Sequence, residues 1–321
     1  MSSGSQQGAD NHLMAHIYLY SPSGAVRDKA GFRRGVRRLQ AQGHQIEIDP
    51  DALASHQRFA GDDDTRLAAI ARAAASGAQV AMTTRGGYGL TRLLPSLPYA
   101  ALQQAVERGT AFVGLSDFTA MQQAMLAQTG TPSWAGPSLI EAFGQPEQPD
   151  EIMQACFDDL LSGQGEGTGW RLPMSDLRAH PELVSEAGWG VEQAKLWGGN
   201  LSVLVSLLGT PYFPQIEGGI LFLEDVGEHP YRIERMLTQL LHAGVLGRQQ
   251  AVLLGQFNQF QLTPHDKGFR LQSVVDWLRR QLKVPVLTGL PFGHVPTKVL
   301  LPVGLKLDLM VSGREAILFW D

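Results

Sequence analysis

Apolar residues in the first half of the chain fall in strand-length runs, separated by stretches in which they recur at helical spacing. "HIYLYSPSG" precedes a helical pattern from about Val26 to Gln42, "IEIDP" precedes one from about Asp63 to Ala75, and "QVAMTTRGGYG" leads on to "AFVGLSD" and an amphipathic helix. This alternation predicts parallel strands joined by helical crossovers, because a parallel pair needs a connection long enough to cross one face of the sheet. Residues 13–160 are therefore expected as a doubly wound α/β domain. Loops that follow its strands gather at one sheet edge, where open α/β folds place their ligands. "SPSG", "TTRGGYG" and "GLSD" should converge there.

The pattern then breaks. "FGQPEQPDE" opens a short helix to about Leu161, and the glycine-rich "SGQGEGTGW" predicts a linker over residues 161–189. Residues 190–321 read as a smaller mixed α/β domain. In it a strand ends at Glu224, a helix starts near Tyr231, "AVLLGQF" is a buried strand, Gln272 to Leu282 is a helix, and "VPVLTGLPFGHVP" is a short strand entering a stiff loop. No repeat period is present.

Charge and composition remove several classes of function. The 26 basic and 31 acidic residues give a net charge of -5 with no basic block, which argues against nucleic acid as a partner. The single cysteine, Cys156, reads as a small buried apolar residue: it has no disulfide partner and no ligand cluster around it, so neither metal nor cofactor is expected. "MSSGSQQGADNHLMAH" lacks the basic start and apolar core of a signal peptide, and no apolar run approaches the ~18 residues that span a membrane. A cytoplasmic protein with no membrane partner is expected, and its first dozen or so residues should form a disordered tail.

Ser116 in "GLSD" sits at a strand-to-helix corner. A serine there either caps the helix or is held exposed as a nucleophile, with the amide of Asp117 facing the place where an oxyanion would develop. Gly114 supplies the small residue of a sharp turn, while Phe118 replaces the second glycine of the G-x-S-x-G elbow and argues against an ordinary α/β-hydrolase. A serine nucleophile needs a base, and the base needs an orienting group. Of nine histidines, His294 is bracketed by Pro291, Gly293 and Pro296, and His229 near an acidic cluster is its rival. His12, His16, His44, His56, His180, His242 and His265 occupy the tail, helices or polar surface contexts. Glu224 ends a strand as an orienting carboxylate would, or is simply an exposed turn residue; Asp225 points to the opposite face of a regular strand.

"RGGYG", "GLSD", "GGNLS", "GTPYFP", "LFLEDVGEHPYRIERML" and "LPFGH" occur in the order found in the LD-carboxypeptidases of murein recycling, and nearly the whole chain, from about Ile17 to Phe319, resembles that serine peptidase family. The resemblance implies a class I amidotransferase-like N-terminal sheet and a catalytic triad of Ser116, Glu224 and His294. It implies hydrolysis of the meso-diaminopimelate to D-alanine bond of murein tetrapeptides, without metal, by a homodimer. The amide of Asp117 and that of Gly86 or Gly87 are the implied oxyanion donors, although a tight turn alone also explains the two glycines. Asn200 either caps a helix or reaches the substrate, and Tyr88 either lines the pocket or packs beside a turn. Arg85, Arg232 and Lys298 are cations available for the substrate carboxylate, and the sequence does not choose among them. An alternative within the resemblance is the immunity peptidase that cleaves microcin C-like aminoacyl nucleotides. An aromatic would stack the base there, and Trp170, Trp189 and Trp197 are candidates whose other reading is interdomain packing.

Overall fold

The computed structural model describes residues 14–184 and 188–320. The expected disordered tail, with His12, lies outside them. In chain order the first half forms β1 (His16–Tyr20), α1 (Lys29–Ala41), β2 (Gln45–Ile48), α2 (Asp63–Ala75), β3 (Val80–Thr83), α3 (Tyr99–Glu107), β4 (Ala111–Gly114), α4 (Phe118–Thr129), β5 (Ser133–Ala135) and α5 (Glu151–Ser162). The second half forms β6 (Gly167–Arg171), α6 (Met174–Ala179), β7 (Trp189–Asn200), α7 (Leu201–Ser206), β8 (Ile220–Val226), α8 (Pro230–His242) and β9 (Ala251–Asn258). These are followed by α9 (Leu271–Gln281), β10 (Val286–Thr288), β11 (Leu301–Val303), β12 (Lys306–Ser312) and β13 (Glu315–Phe319). Helix α1 starts three residues later than its periodicity suggests, because the Asp28 carboxylate accepts from the Gly31 amide and caps it.

The first sheet has the order β11-β5-β4-β3-β1-β2, with β1 to β5 mutually parallel. This is the doubly wound arrangement the alternation predicts. Its strand order reverses between β1 and β3, so the loops after these two strands border the crevice in which such sheets bind ligands. The second sheet, β10-β9-β8-β7-β12-β13-β6, is parallel from β10 to β7 and antiparallel from β7 through β12 and β13 to β6.

Two expected boundaries shift. The segment expected as a linker contributes β6, which pairs along β13 at the edge of the second sheet. Only Trp170 of "GTGWR" is buried, so this edge strand carries almost no hydrophobic signal. Conversely, β11 leaves the second half of the chain and pairs antiparallel with β5 of the first sheet. Three residues with a central proline do not read as a strand, and Pro302 is tolerated because β11 lies at the sheet edge.

Helix α4, expected as amphipathic, is buried at every position from Phe118 to Leu126. It runs between the first sheet and the second lobe, packing on α7 and β7, and a helix apolar nearly all round fits only such a position. Its polar residues are used across the lobe boundary. Gln123 donates to the Gly198 carbonyl at 2.7 Å, and Thr119 Oγ1 accepts the Asn200 amide at 3.0 Å. Gly198 and Gly199 have φ of 125° and 132°, and a Cβ on Gly199 would lie 2.6 Å from Thr119 Oγ1, so this close approach requires glycine.

The tryptophans follow the packing reading. Trp197 is fully buried and donates to Gln249 at 3.0 Å, Trp170 is buried, and Trp189 packs partly buried against the same core. Two histidines expected at the polar surface are buried: His44, and His180, whose Nε2 accepts the Val286 amide at 3.0 Å. Cys156 is only half-buried.

Candidate active site

The corner after β4 holds Ser116 at φ 67°, left-handed geometry that a side-chain-bearing residue adopts only at a cost. The turn is tight enough that a Cβ on Gly114 would lie 2.6 Å from the Phe118 ring and 2.8 Å from Thr83 Oγ1. The cap of α4 falls on Asp117, which makes no side-chain capping bond, so Ser116 is not serving as an N-cap. Asp117 instead turns its carboxylate inward, accepting the Leu90 amide at 2.9 Å, with Ser23 also in contact. It thus ties the loops after β1 and β3 to the serine corner. Burial raises its pKa above the ordinary carboxyl value despite those bonds.

Gly86 packs directly on the serine: a Cβ there would stand 2.7 Å from Ser116 Cβ and 2.9 Å from Oγ. Gly87, at φ 115°, lies against Gly24, whose amide donates to the Gly86 carbonyl. Tyr88 turns outward, nearly half exposed, with its ring 6.0 Å from Phe59 and the Arg58 guanidinium over its face. It does not line the cleft beside Ser116.

From the other lobe, the loop after β10 presents His294. This loop is stitched to β9: the Gln256 amide donates to Phe292 O, Gln256 Nε2 to Leu290 O, and Asn258 Nδ2 to His294 O. Phe292 adds an edge-on contact with Phe222 of β8 at 5.3 Å. His294 Nδ1 lies 2.8 Å from Glu224 Oε2, and the carboxylate is fully buried. Burial opposes charge on the imidazole, but the hydrogen bond and negative charge of Glu224, with Glu141 and Asp225 beyond, outweigh it and hold the His294 pKa above its ordinary value.

Glu224 and Asp225 do not point to opposite faces as a regular strand would place them. The pairing of β8 with β9 shifts register between Leu223 and Asp225, and this irregularity lets both carboxylates reach one amide. Asn200 Nδ2 donates to Glu224 Oε1 at 3.1 Å and to Asp225 Oδ1 at 3.0 Å, while Asn200 Oδ1 caps α7 through Val203 N. Asn200 is therefore buried behind Glu224 and absent from the cleft wall. Burial raises Asp225 to about 6, the neighbouring Glu224 charge adding to the effect. The rival His229 caps α8, accepting from the Tyr231 amide, and pairs with Asp266 at 3.2 Å outside the cleft.

Ser116 and His294 line one cleft of about 680 Å³, together with Arg85, Gly87, Glu141, Asp150 and Lys298. That volume suits a peptide-sized ligand. Glu141 comes from a single π-helical turn, Leu139–Phe143, a feature with no local sequence signal that often marks functional sites. No Phe, Tyr or Trp is among the cleft-lining residues described. Among the described residues no group of three or more His, Cys, Asp or Glu is placed to hold a metal ion, and no helix is long and apolar enough to cross a membrane.

Residues 17–136 match the family description "LD-carboxypeptidase N-terminal domain" and residues 193–309 match "LD-carboxypeptidase C-terminal domain". The chain is 29% identical over 288 residues to the murein tetrapeptide carboxypeptidase of Pseudomonas aeruginosa, covering 87% of each chain. A crystal structure of muramoyltetrapeptide carboxypeptidase from Oxalobacter formigenes superposes with a TM-score of 0.82 at 36% identity, over 95% of this chain and 99% of that one. Microcin C7 self-immunity protein MccF, in complex with aspartyl sulfamoyl adenosine, also superposes with a TM-score of 0.82, at 25% identity over 96% of this chain and 97% of that one.

Proposed function

The chain belongs to the LD-carboxypeptidase family, and from this we propose that it is a serine carboxypeptidase releasing D-alanine from murein tetrapeptides by cutting after meso-diaminopimelate. Ser116 attacks the scissile carbonyl while His294 takes its proton. Glu224 fixes the imidazole tautomer and stabilises the imidazolium that forms. His294 then protonates the departing amine of D-alanine, and water, activated by the same ring, clears the acyl-enzyme. The amides of Asp117 and of Gly86 or Gly87 are the donors assigned to the oxyanion. Such a donor is worth roughly 10²- to 10³-fold in rate.

The observation that carries this reading is the 2.8 Å contact of His294 with buried Glu224, in a loop whose imidazole shares its cleft with Ser116. A left-handed serine packed against Gly86 is consistent with a nucleophile held in a strained, exposed corner. The same reading places the enzyme in the cytoplasm as a homodimer, acting on recovered wall peptides.

Likeness to the self-immunity protein supports a second substrate class, aminoacyl nucleotides. Among the described cleft-lining residues there is no Phe, Tyr or Trp to stack the base of such a substrate. Incubation with purified murein tetrapeptide and, separately, with aminoacyl sulfamoyl adenosine decides between them. Tripeptide and free D-alanine detected by mass spectrometry support the peptidase. Turnover of the adenosine compound alone supports the immunity reading.

A further inference from the structure

Two cations are among the described residues lining the cleft, Arg85 and Lys298. Their situations differ. Arg85 is half-buried and donates through Nη1 to the Ala25 carbonyl at 3.2 Å, which ties it to the loop after β1. Arg232, the third cation open from the sequence, is about half exposed, pairs with Glu228 and lies outside the cleft wall. Lys298 is 2% exposed and makes no hydrogen bond or ion pair with any described residue.

Its stem is buried while the residue lines the cleft, so the ammonium is left to meet the cleft without an ion pair from the chain, and pairing it there with a ligand's negative charge would offset the cost of holding a charge in so enclosed a place. The surroundings agree. Burial lowers the Lys298 pKa, while the charges of Glu141, Glu224 and Asp150 oppose that shift without closing to contact. Asp150 is already engaged, capping α5 and accepting from Thr297 at 2.5 Å. Lys298 follows His294 by four residues on the segment that crosses back from the second lobe to β11, so one rigid loop carries the imidazole and the ammonium together.

An exopeptidase must hold the carboxylate one residue beyond the bond it cuts. We propose that Lys298 receives this terminal carboxylate and makes the enzyme a carboxypeptidase rather than an internal peptidase. The assignment rests on the peptidase reading given above. It also gives the buried cation a partner that arrives only with substrate.

The test compares three substrates on the full-length protein: the tetrapeptide, the tetrapeptide ending in D-alaninamide, and the tetrapeptide amidated at the side-chain carboxylate of diaminopimelate. Wild type is expected to prefer the free terminal acid over its amide in kcat/KM by roughly 10²-fold or more, the scale of a lost desolvated charge pair. In Lys298→Met this preference collapses to within about threefold, because the acid loses its partner while the amide loses little. In Lys298→Arg and Arg85→Gln it persists. Circular dichroism establishes that each variant is folded, and Lys298→Gln replaces the Met variant if that one is not. A preference kept in the neutral Lys298 variants, or abolished by Arg85→Gln instead, overturns the assignment. So does a Lys298 variant that loses discrimination only against the amidated diaminopimelate. Wild type that releases no D-alanine from the unmodified tetrapeptide defeats the peptidase reading itself, a result distinct from all of these.

Discussion

Asn200 Nδ2 donates to Glu224 Oε1, the carboxylate oxygen that His294 does not use. The carboxylate is thus held from both sides, by an amide behind it and an imidazole in front. Since the Asn200 backbone amide is itself bonded to Thr119 of α4, three residues past the serine, this chain of contacts joins the two lobes at the site. Replacing Asn200 by Ala removes a helix cap and leaves two buried carboxylates short of a donor. We expect a stability loss of about 1–3 kcal/mol in urea titration, with a lower kcat and little change in KM. A normal kcat in the folded variant would show that Glu224 needs no such support.

The raised pKa of His294 gives a pH signature. A general base must be neutral, so kcat/KM falls as pH drops through the free-enzyme pKa of His294, and this limb should lie above the ordinary imidazole value of 6.5. Glu224→Gln removes the negative charge and weakens the hydrogen bond that raise the pKa but leaves the burial that lowers it. The limb should therefore move to lower pH while the fold persists, with kcat reduced by roughly 10³-fold or more. An unshifted limb would reassign the titrating group.

Ser116 carries backbone strain that its removal should reveal. In left-handed geometry an L side chain costs about 1–2 kcal/mol that glycine does not. Ser116→Gly should therefore be more stable than Ser116→Ala by about 1 kcal/mol in chemical denaturation, with both inactive. Equal stabilities would show that the corner is unstrained.

Gly86 tests the closeness of the second loop to the serine. With a Cβ there only 2.7 Å from Ser116 Cβ, Gly86→Ala must push the two loops apart. Displacement of the reacting atoms by part of an ångström should lower kcat on the order of 10- to 100-fold with a small change in thermal midpoint. An unaltered kcat would remove Gly86 from the reaction centre.

The parts of this site that the sequence favoured share one property: local chemistry points to them, although only the family resemblance chose them over their rivals. Ser116 stands at a strand-to-helix corner, His294 is bracketed by two prolines and a glycine, and Glu224 ends an apolar run. What was not legible depends on partners distant in sequence. The register shift that turns Asp225 toward Asn200 is set by β9, and the π-helical turn that delivers Glu141 has no periodicity of its own. The capping role of Asn200 was readable, but its grip on two carboxylates was not, because those lie 24 and 25 residues away. Strands β6 and β11 escaped for a related reason: edge strands need little apolar surface, and their pairing is fixed by tertiary structure.

The central claim is that Ser116 and His294, from different lobes, act as one catalytic unit. Initial rates of D-alanine release from murein tetrapeptide by wild type, Ser116→Ala, His294→Ala and the double variant test it directly. Residues that work as a unit are strongly non-additive, so each single variant should lose on the order of 10³-fold or more and the double variant no more than either. Losses that multiply in the double variant, or a Ser116→Ala protein that still releases D-alanine at the wild-type rate, would contradict the account.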